Sequence, residues 1–192
     1  MKRIILASTS PRRKALLEQI GVKFTVDARV QEDTESVSRE PHHLAVENAL
    51  RKAKSVAGEY PDAIIIAADT FGVIDDRLFG KPHSESEACA LLAELRGKAH
   101  TVITGFAVID TLTGKTISRS VETAVYMKQL TRSEIEAYVR TGEPLDKAGA
   151  YAIQGLGAIL VEKIEGDYFN VVGLPLYALS EVLKEFGINV IQ

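Results

Sequence analysis

The chain of 192 residues has one cysteine, no tryptophan, and only six tyrosines and six phenylalanines. Cys89 cannot close an intrachain disulfide; within Ala88-Cys89-Ala90-Leu91-Leu92 it reads as a small buried hydrophobe. The aromatics do not interleave with basic residues, so no stacking platform for single-stranded nucleic acid is expected. Basic residues are not in excess either: 23 Lys and Arg stand against 26 Asp and Glu, a formal charge of −3. A protein that coats nucleic acid normally carries the opposite balance. Long apolar runs are missing too. The longest, Ala63 to Ala68, falls far short of the ~20 residues a bilayer-crossing helix needs. The apolar run after Lys2-Arg3 is too short for a secretory leader, so a soluble cytoplasmic protein is expected. No nucleophile elbow, Walker loop or glycine-rich dinucleotide turn occurs. His42 and His43 are adjacent and point to different helix faces, and His83 and His100 lack partners at ligand spacing, which argues against zinc.

What remains is an ordinary globular balance, 46% hydrophobic and 26% charged, long enough for a sizeable core. One domain over residues 1–192, folded as two lobes, is the expectation. Strand and helix signals alternate. Ile4 to Ala7 reads as a strand, 11–20 as a helix stopped by Gly21, and Lys23 to Val30 as a strand followed by an acidic loop. Pro41 opens a helix through about Val56 with Ala45, Ala49, Ala53 and Val56 inward, and Ala63 to Ala68 reads as a strand covered on both faces. Ser84-Glu85-Ser86-Glu87 and Thr131-Arg132-Ser133-Glu134 are capping-box sequences. Between their helices, Thr101 to Asp110 and Lys115 to Met127 form a hairpin through Leu112-Thr113-Gly114. Strands at Ile159–Ile164 and Tyr168–Val172 and a last helix from Pro175 to Phe186-Gly187 complete the reading. The class is α/β with an elongated mixed sheet and flanking helices.

Four polar clusters interrupt this pattern where α/β folds place sites. In Ser8-Thr9-Ser10-Pro11-Arg12-Arg13-Lys14, Ser10 suits a helix cap and Pro11 the first helical position. Hydroxyls, cations and a helix N-terminus there would suit a phosphate, although a capped surface helix with solvated basic residues explains the same letters. Asp69-Thr70 follows a buried strand and could bind a divalent metal, orient a water, or serve as a turn cap. Phe79-Gly80-Lys81-Pro82 puts a lysine on a tight turn, and 142–155 is a glycine-containing loop too irregular for a helix. Cations, hydroxyls and carboxylates without a prepared covalent nucleophile suit phosphoanhydride hydrolysis by a positioned water.

In their order along the chain, these segments resemble the Maf family of nucleoside triphosphate pyrophosphatases. The resemblance rests on Leu6-Ala7-Ser8-Thr9-Ser10-Pro11-Arg12-Arg13, Ala68-Asp69-Thr70, Gly80-Lys81-Pro82, His100-Thr101-Val102 with Thr104-Gly105, and Asp146-Lys147-Ala148-Gly149-Ala150-Tyr151. Gly166-Asp167-Tyr168 and Val171-Val172-Gly173-Leu174-Pro175 extend it to about residue 185. It implies a fold like that of the inosine triphosphate pyrophosphatases, two lobes around a cleft, and cleavage of an NTP to NMP and pyrophosphate with Mg²⁺ or Mn²⁺. It also implies a homodimer, while the net charge and the short apolar runs give no reason to expect a nucleic-acid or membrane partner. Asp69 matches the family's catalytic acid, assigned as proton acceptor, and Arg12, Thr70 and Gln154 match positions that set base preference. Arg13, Lys52, Lys81 and Lys147 match basic residues of the cleft, joined at the phosphates by Ser8 and Ser10. Glu32 matches the first-loop acid and, with Asp69, the metal position.

Tyr151-Ala152-Ile153-Gln154-Gly155 resembles the branch acting on dTTP and UTP, and a glutamine amide offers donor and acceptor to the O4/N3 edge of a pyrimidine. The implied role is housecleaning of the nucleotide pool. Other readings are the same chemistry on 7-methyl-GTP or damaged purine nucleotides, and a non-enzymatic regulator of cell division that binds nucleotide. Three positions depart from the family pattern: Gln31-Glu32 where two acids are frequent, Asn48 where Leu is common, and Phe71-Gly72 where a β-branched pair is usual. An aspartate near its ordinary pKa of ~3.9 is a weak base at neutral pH, so Asp69 acting as base would need a metal-lowered water or a raised pKa.

Overall fold

Alternating apolar runs build the sheet. The computed structural model describes residues 2–29 and 40–191. Its elements are β1 (Arg3–Leu6), α1 (Pro11–Gln19), β2 (Thr25–Val26), α2 (Pro41–Ala57), β3 (Ala63–Ile74), β4 (Arg77–Phe79), α3 (Glu85–Leu95) and β5 (Ala99–Asp110). They continue as β6 (Thr116–Met127), α4 (Arg132–Val139), β7 (Val161–Gly166), α5 (Tyr168–Val172) and α6 (Leu176–Lys184), with short 3₁₀ turns between Glu143 and Leu160. The seven strands form one mixed sheet in the order β2-β1-β3-β5-β6-β7, with β4 paired to β3. β1 runs parallel to β2 and β3, whereas β3–β4 and β6–β7 are antiparallel. This is the mixed α/β class expected from the sequence. No helix among the described residues is long and apolar enough to cross a membrane.

The chain divides into two compact units, Met1–Asp69 with Thr104–Val121 and Gly173–Gln192, and Thr70–Ile103 with Glu122–Val172. In the first, the predicted inner face of α2 is fully buried: Ala45, Ala49, Ala53 and Val56. Ala49, Ala53 and Val56 cluster with Ile5, Ala7, Ile65, Ala67 and Ala107. Ile4, Leu6, Ile64 and Ile66 alternate with these along β1 and β3 and are buried as well, which explains a run apolar on every side. Small residues let helix and sheet approach closely, and Gly105 carries this furthest. A Cβ there would overlap the backbone of Ala45 and Val46. In the second unit, Ala88, Leu92 and Leu95 of α3 and Ile135, Tyr138 and Val139 of α4 cluster with Val102, Val125, Met127 and Tyr151.

Several local expectations need correction. β3 does not stop at Ala68 but continues to Ile74, so Asp69 and Thr70 lie inside a strand. The extension is sustained by the antiparallel pairing of Gly72, Val73 and Ile74 with β4. Of the strand expected from Lys23 to Val30, only the exposed edge pair Thr25–Val26 forms among the described residues. Tyr168–Val172 is helical, not extended. Asp167 accepts hydrogen bonds from the N–H groups of Phe169 (2.7 Å) and Asn170 (3.3 Å), starting a turn that overrides the strand preference of Val171-Val172. The buried Asn170 amide then donates to Val102 O and Thr123 Oγ1 and fixes it. Residues 159–160 belong to a 3₁₀ turn, and β7 begins at Val161. At α3 the box is half made: Ser84 caps Glu87 N, while Glu87 accepts from His83 N. The Thr131–Glu134 box is complete. Cys89 is partly, not fully, buried.

Candidate active site

The turn after β1 has the predicted cap. Ser10 is extended (φ −61°, ψ 117°), its Oγ accepts from Arg13 N, and Pro11 follows at the first helical position. Ser8 is buried, and its Oγ accepts from Ser10 N (3.2 Å) and Arg13 Nη1 (3.2 Å). Arg13 is itself buried, and its Nε donates to Gly173 O at 2.8 Å. The second arginine thus joins α1 to the segment before α6. Arg12 is half-buried on the first turn, while exposed Lys14 pairs along the helix with Glu18.

Asp69 carries the strongest local chemistry in this unit. Lys52 Nζ donates to its Oδ1 at 2.6 Å, and Asn48 Nδ2 donates to its Oδ2 at 2.8 Å. The ion pair is largely shielded, with side-chain exposures of 11% for Lys52 and 14% for Asp69. Asn48 and Lys52 lie one turn apart on α2, so one helix face supplies both donors. Arg51 Nη2 donates to Asn48 Oδ1 at 2.8 Å, orienting the amide with its nitrogen toward Asp69. Neutral charge pairing and fixed lone pairs leave a carboxylate held in one orientation, as a proton acceptor or cation ligand must be. Asn48 departs from the family pattern, yet it touches the predicted catalytic acid. Its i, i+4 spacing to Lys52 was the available signal. Glu32, the other predicted metal ligand, lies outside the described residues. Among the described residues, no group of three or more His, Cys, Asp or Glu side chains could hold a metal ion.

The second unit contains Thr70, half-buried in β3, and Lys81, exposed after β4. Gly72 faces Phe79 across the β3–β4 pair, and a Cβ at Gly72 would overlap the Phe79 ring. This accounts for glycine where a β-branched residue is usual. Phe79 and Tyr151 lie edge-on to His100, each with centroids 5.5 Å away. His100 Nε2 shares a 2.8 Å hydrogen bond with the Tyr151 hydroxyl. Burial holds His100 neutral, lowering its pKa from the ordinary 6.5 to about 4, and raises that of Tyr151. Gly149 N donates to Gly80 O at 3.0 Å, tying the 142–155 loop to the turn that bears Lys81. Lys147 Nζ donates to Glu143 O at 2.8 Å and pairs with Asp146. Gln154 is exposed and extended, immediately before Gly155 at φ +71°. Sequence reading missed Glu143 and Tyr138, whose polar atoms meet the backbone on both sides of Gln154.

The model of the family described as "Maf-like protein" matches residues 3–186. A dTTP/UTP pyrophosphatase of Dictyoglomus turgidum is 50% identical over 99% of both chains. One from Alkaliphilus metalliredigens is 50% identical over the whole of both, and one from Methanosarcina barkeri is 47% identical over 100% of this chain and 98% of its own. Among solved structures, a HAM1 protein from Coxiella burnetii aligns with 96% of this chain and 100% of its own, with a TM-score of 0.55 at 16% identity. At that identity the likeness concerns the fold alone. The family match and the full-length relatives agree with the motif order in the sequence: the chain belongs to the Maf family.

Proposed function

We propose that this protein is a nucleoside triphosphate pyrophosphatase that hydrolyses dTTP and UTP to the monophosphate and pyrophosphate. The observation that carries this reading is identity of about 50% along the whole chain to relatives bearing that activity in their names. The site described above supplies chemistry to match. Asp69, oriented by Lys52 and Asn48, accepts the proton of the attacking water. The cationic motif side chains Arg12, Lys81 and Lys147 neutralise triphosphate charge. Ser8 and Ser10 shape the α1 turn, and the contacts of Arg13 make it the brace of that turn. Thr70, Arg12 and Gln154 select the base.

A divalent cation, Mg²⁺ or Mn²⁺, belongs to the proposal. The Asp69 carboxylate fits one: each oxygen takes one protein donor and retains a second lone pair. A Mg²⁺ ion held largely by substrate phosphates needs only one or two carboxylates. When bound, the ion lowers the pKa of a water and offsets phosphate charge. A homodimer acting in the cytoplasm is part of the same proposal and rests on the family resemblance. The test is pyrophosphate release across dTTP, UTP, CTP, dATP and 7-methyl-GTP, with and without Mg²⁺. Wild-type protein should prefer dTTP and UTP, and Asp69→Asn should lower kcat at least 100-fold. Turnover of dTTP by Asp69→Asn at near wild-type rate would remove Asp69 from the chemistry.

A further inference from the structure

Gln154 is an exposed side chain on an irregular loop, a poor starting point for choosing between bases that differ by one donor and one acceptor. Its neighbours are unusually constrained. The Glu143 carboxylate accepts from Leu156 N at 3.0 Å through Oε2 and from Gly157 N at 2.8 Å through Oε1. Tyr138 donates its hydroxyl to the same Oε1 at 2.8 Å and accepts from Ala152 N at 3.2 Å. The loop is therefore held two residues before Gln154 and again two and three residues after it. Glycine is required for the approach. A Cβ on Gly155, at φ +71°, would lie 2.6 Å from Glu143 Oε2, and one on Gly157 would lie 2.5 Å from both Ala152 O and Tyr138 Oη.

The chemistry favours a rigid clamp. An ionised carboxylate only accepts, so all three donors must point toward it, and hydrogen bonds to a charged group are the stronger kind. Burial pushes the Glu143 carboxyl up, but the N–H groups of Gly157 and Leu156, the Tyr138 hydroxyl and the nearby Lys147 charge together hold it below its ordinary value. The main chain of the same residue anchors Lys147 through Glu143 O. One residue thus sets the backbone around the base-reading amide and the position of a motif lysine.

We propose that Glu143, assisted by Tyr138, is a positioning residue for base selection: it fixes the backbone flanking Gln154 so that the amide meets the pyrimidine edge in one geometry. This inference rests on the dTTP/UTP reading above. It is tested by measuring kcat and KM for dTTP and CTP in wild type, Glu143→Gln, Tyr138→Phe, Gln154→Ala and the Glu143→Gln/Gln154→Ala double variant. Glu143→Gln should lower the dTTP:CTP ratio of kcat/KM about tenfold, mostly through a raised KM for dTTP, and Tyr138→Phe about threefold. In the Gln154→Ala background, Glu143→Gln should lower that ratio no further, because the clamp acts through Gln154. A merely structural role would reduce both substrates alike and would add to Gln154→Ala. Either result overturns the proposal, as does an unchanged ratio in a folded variant. Should Glu143→Gln fail to fold, Tyr138→Phe, which removes one hydroxyl, decides the matter alone by the same criterion. If wild-type protein does not favour dTTP over CTP, the functional reading itself falls. If it does and the variants keep its ratio, only the clamp falls.

Discussion

His100 makes the most quantitative prediction, because a buried neutral imidazole ties folding to pH. The perturbation is acidification from pH 7.5 to 5, compared in wild type and His100→Gln, which keeps a polar group within reach of Tyr151. Burial lowers the His100 pKa from 6.5 to about 4. Between those values the unfolded chain binds a proton that the folded chain excludes, so stability falls as pH falls through that window. The stabilisation is fully present above pH 6.5 and lost by pH 4. The whole shift corresponds to about 3 kcal/mol, of which about 2 kcal/mol is gone at pH 5. For a chain of this size each kcal/mol moves Tm by roughly 2–4 °C. Thermal unfolding followed by circular dichroism should therefore show wild type losing roughly 4–8 °C more than His100→Gln between the two pH values. Equal losses would refute the reasoning, as would an NMR titration placing the His100 midpoint near 6.5.

Two further outcomes follow from close backbone approaches. Gly105→Ala forces α2 away from β5 and should destabilise the protein by about 1–3 kcal/mol, read as a fall in Tm, whereas Gly58→Ala, with nothing near its Cβ, should be almost neutral. Gly72→Val restores a β-branched residue but drives it into the Phe79 ring, so it should cost about 1–3 kcal/mol alone and markedly less when combined with Phe79→Leu.

Burial on both faces made β1 and the first half of β3 legible, since only a covered strand leaves Ile64-Ile65-Ile66 without a polar neighbour. The alanine stripe of α2 and the Thr131 capping box were readable for equally local reasons. Tyr168–Val172 was not: the strand preference of Val171-Val172 masked the local cap at Asp167, and the contacts of Asn170 with Val102 and Thr123 that fix the helix lie far away in sequence. The same holds at the site. Asp69 could be read from its motif, but Arg13 as a brace depends on Gly173, 160 residues away, and the neutrality of His100 depends on its burial among residues distant in sequence, Tyr151 and Phe79 included. Asn48 stood out only as a departure from the family pattern, and its contact with Asp69 depends on where α2 places its amide. Residue type and spacing revealed which chemistry was available; the tertiary partners decided which groups carry it and which hold others in place.

The most direct test of the central claim is product identification by ³¹P NMR when wild-type protein and Mg²⁺ are incubated with dTTP. dTMP and pyrophosphate should form in equal amounts, with the reaction lost in Asp69→Asn. Formation of dTDP with orthophosphate, or no cleavage of dTTP and UTP, would contradict that claim.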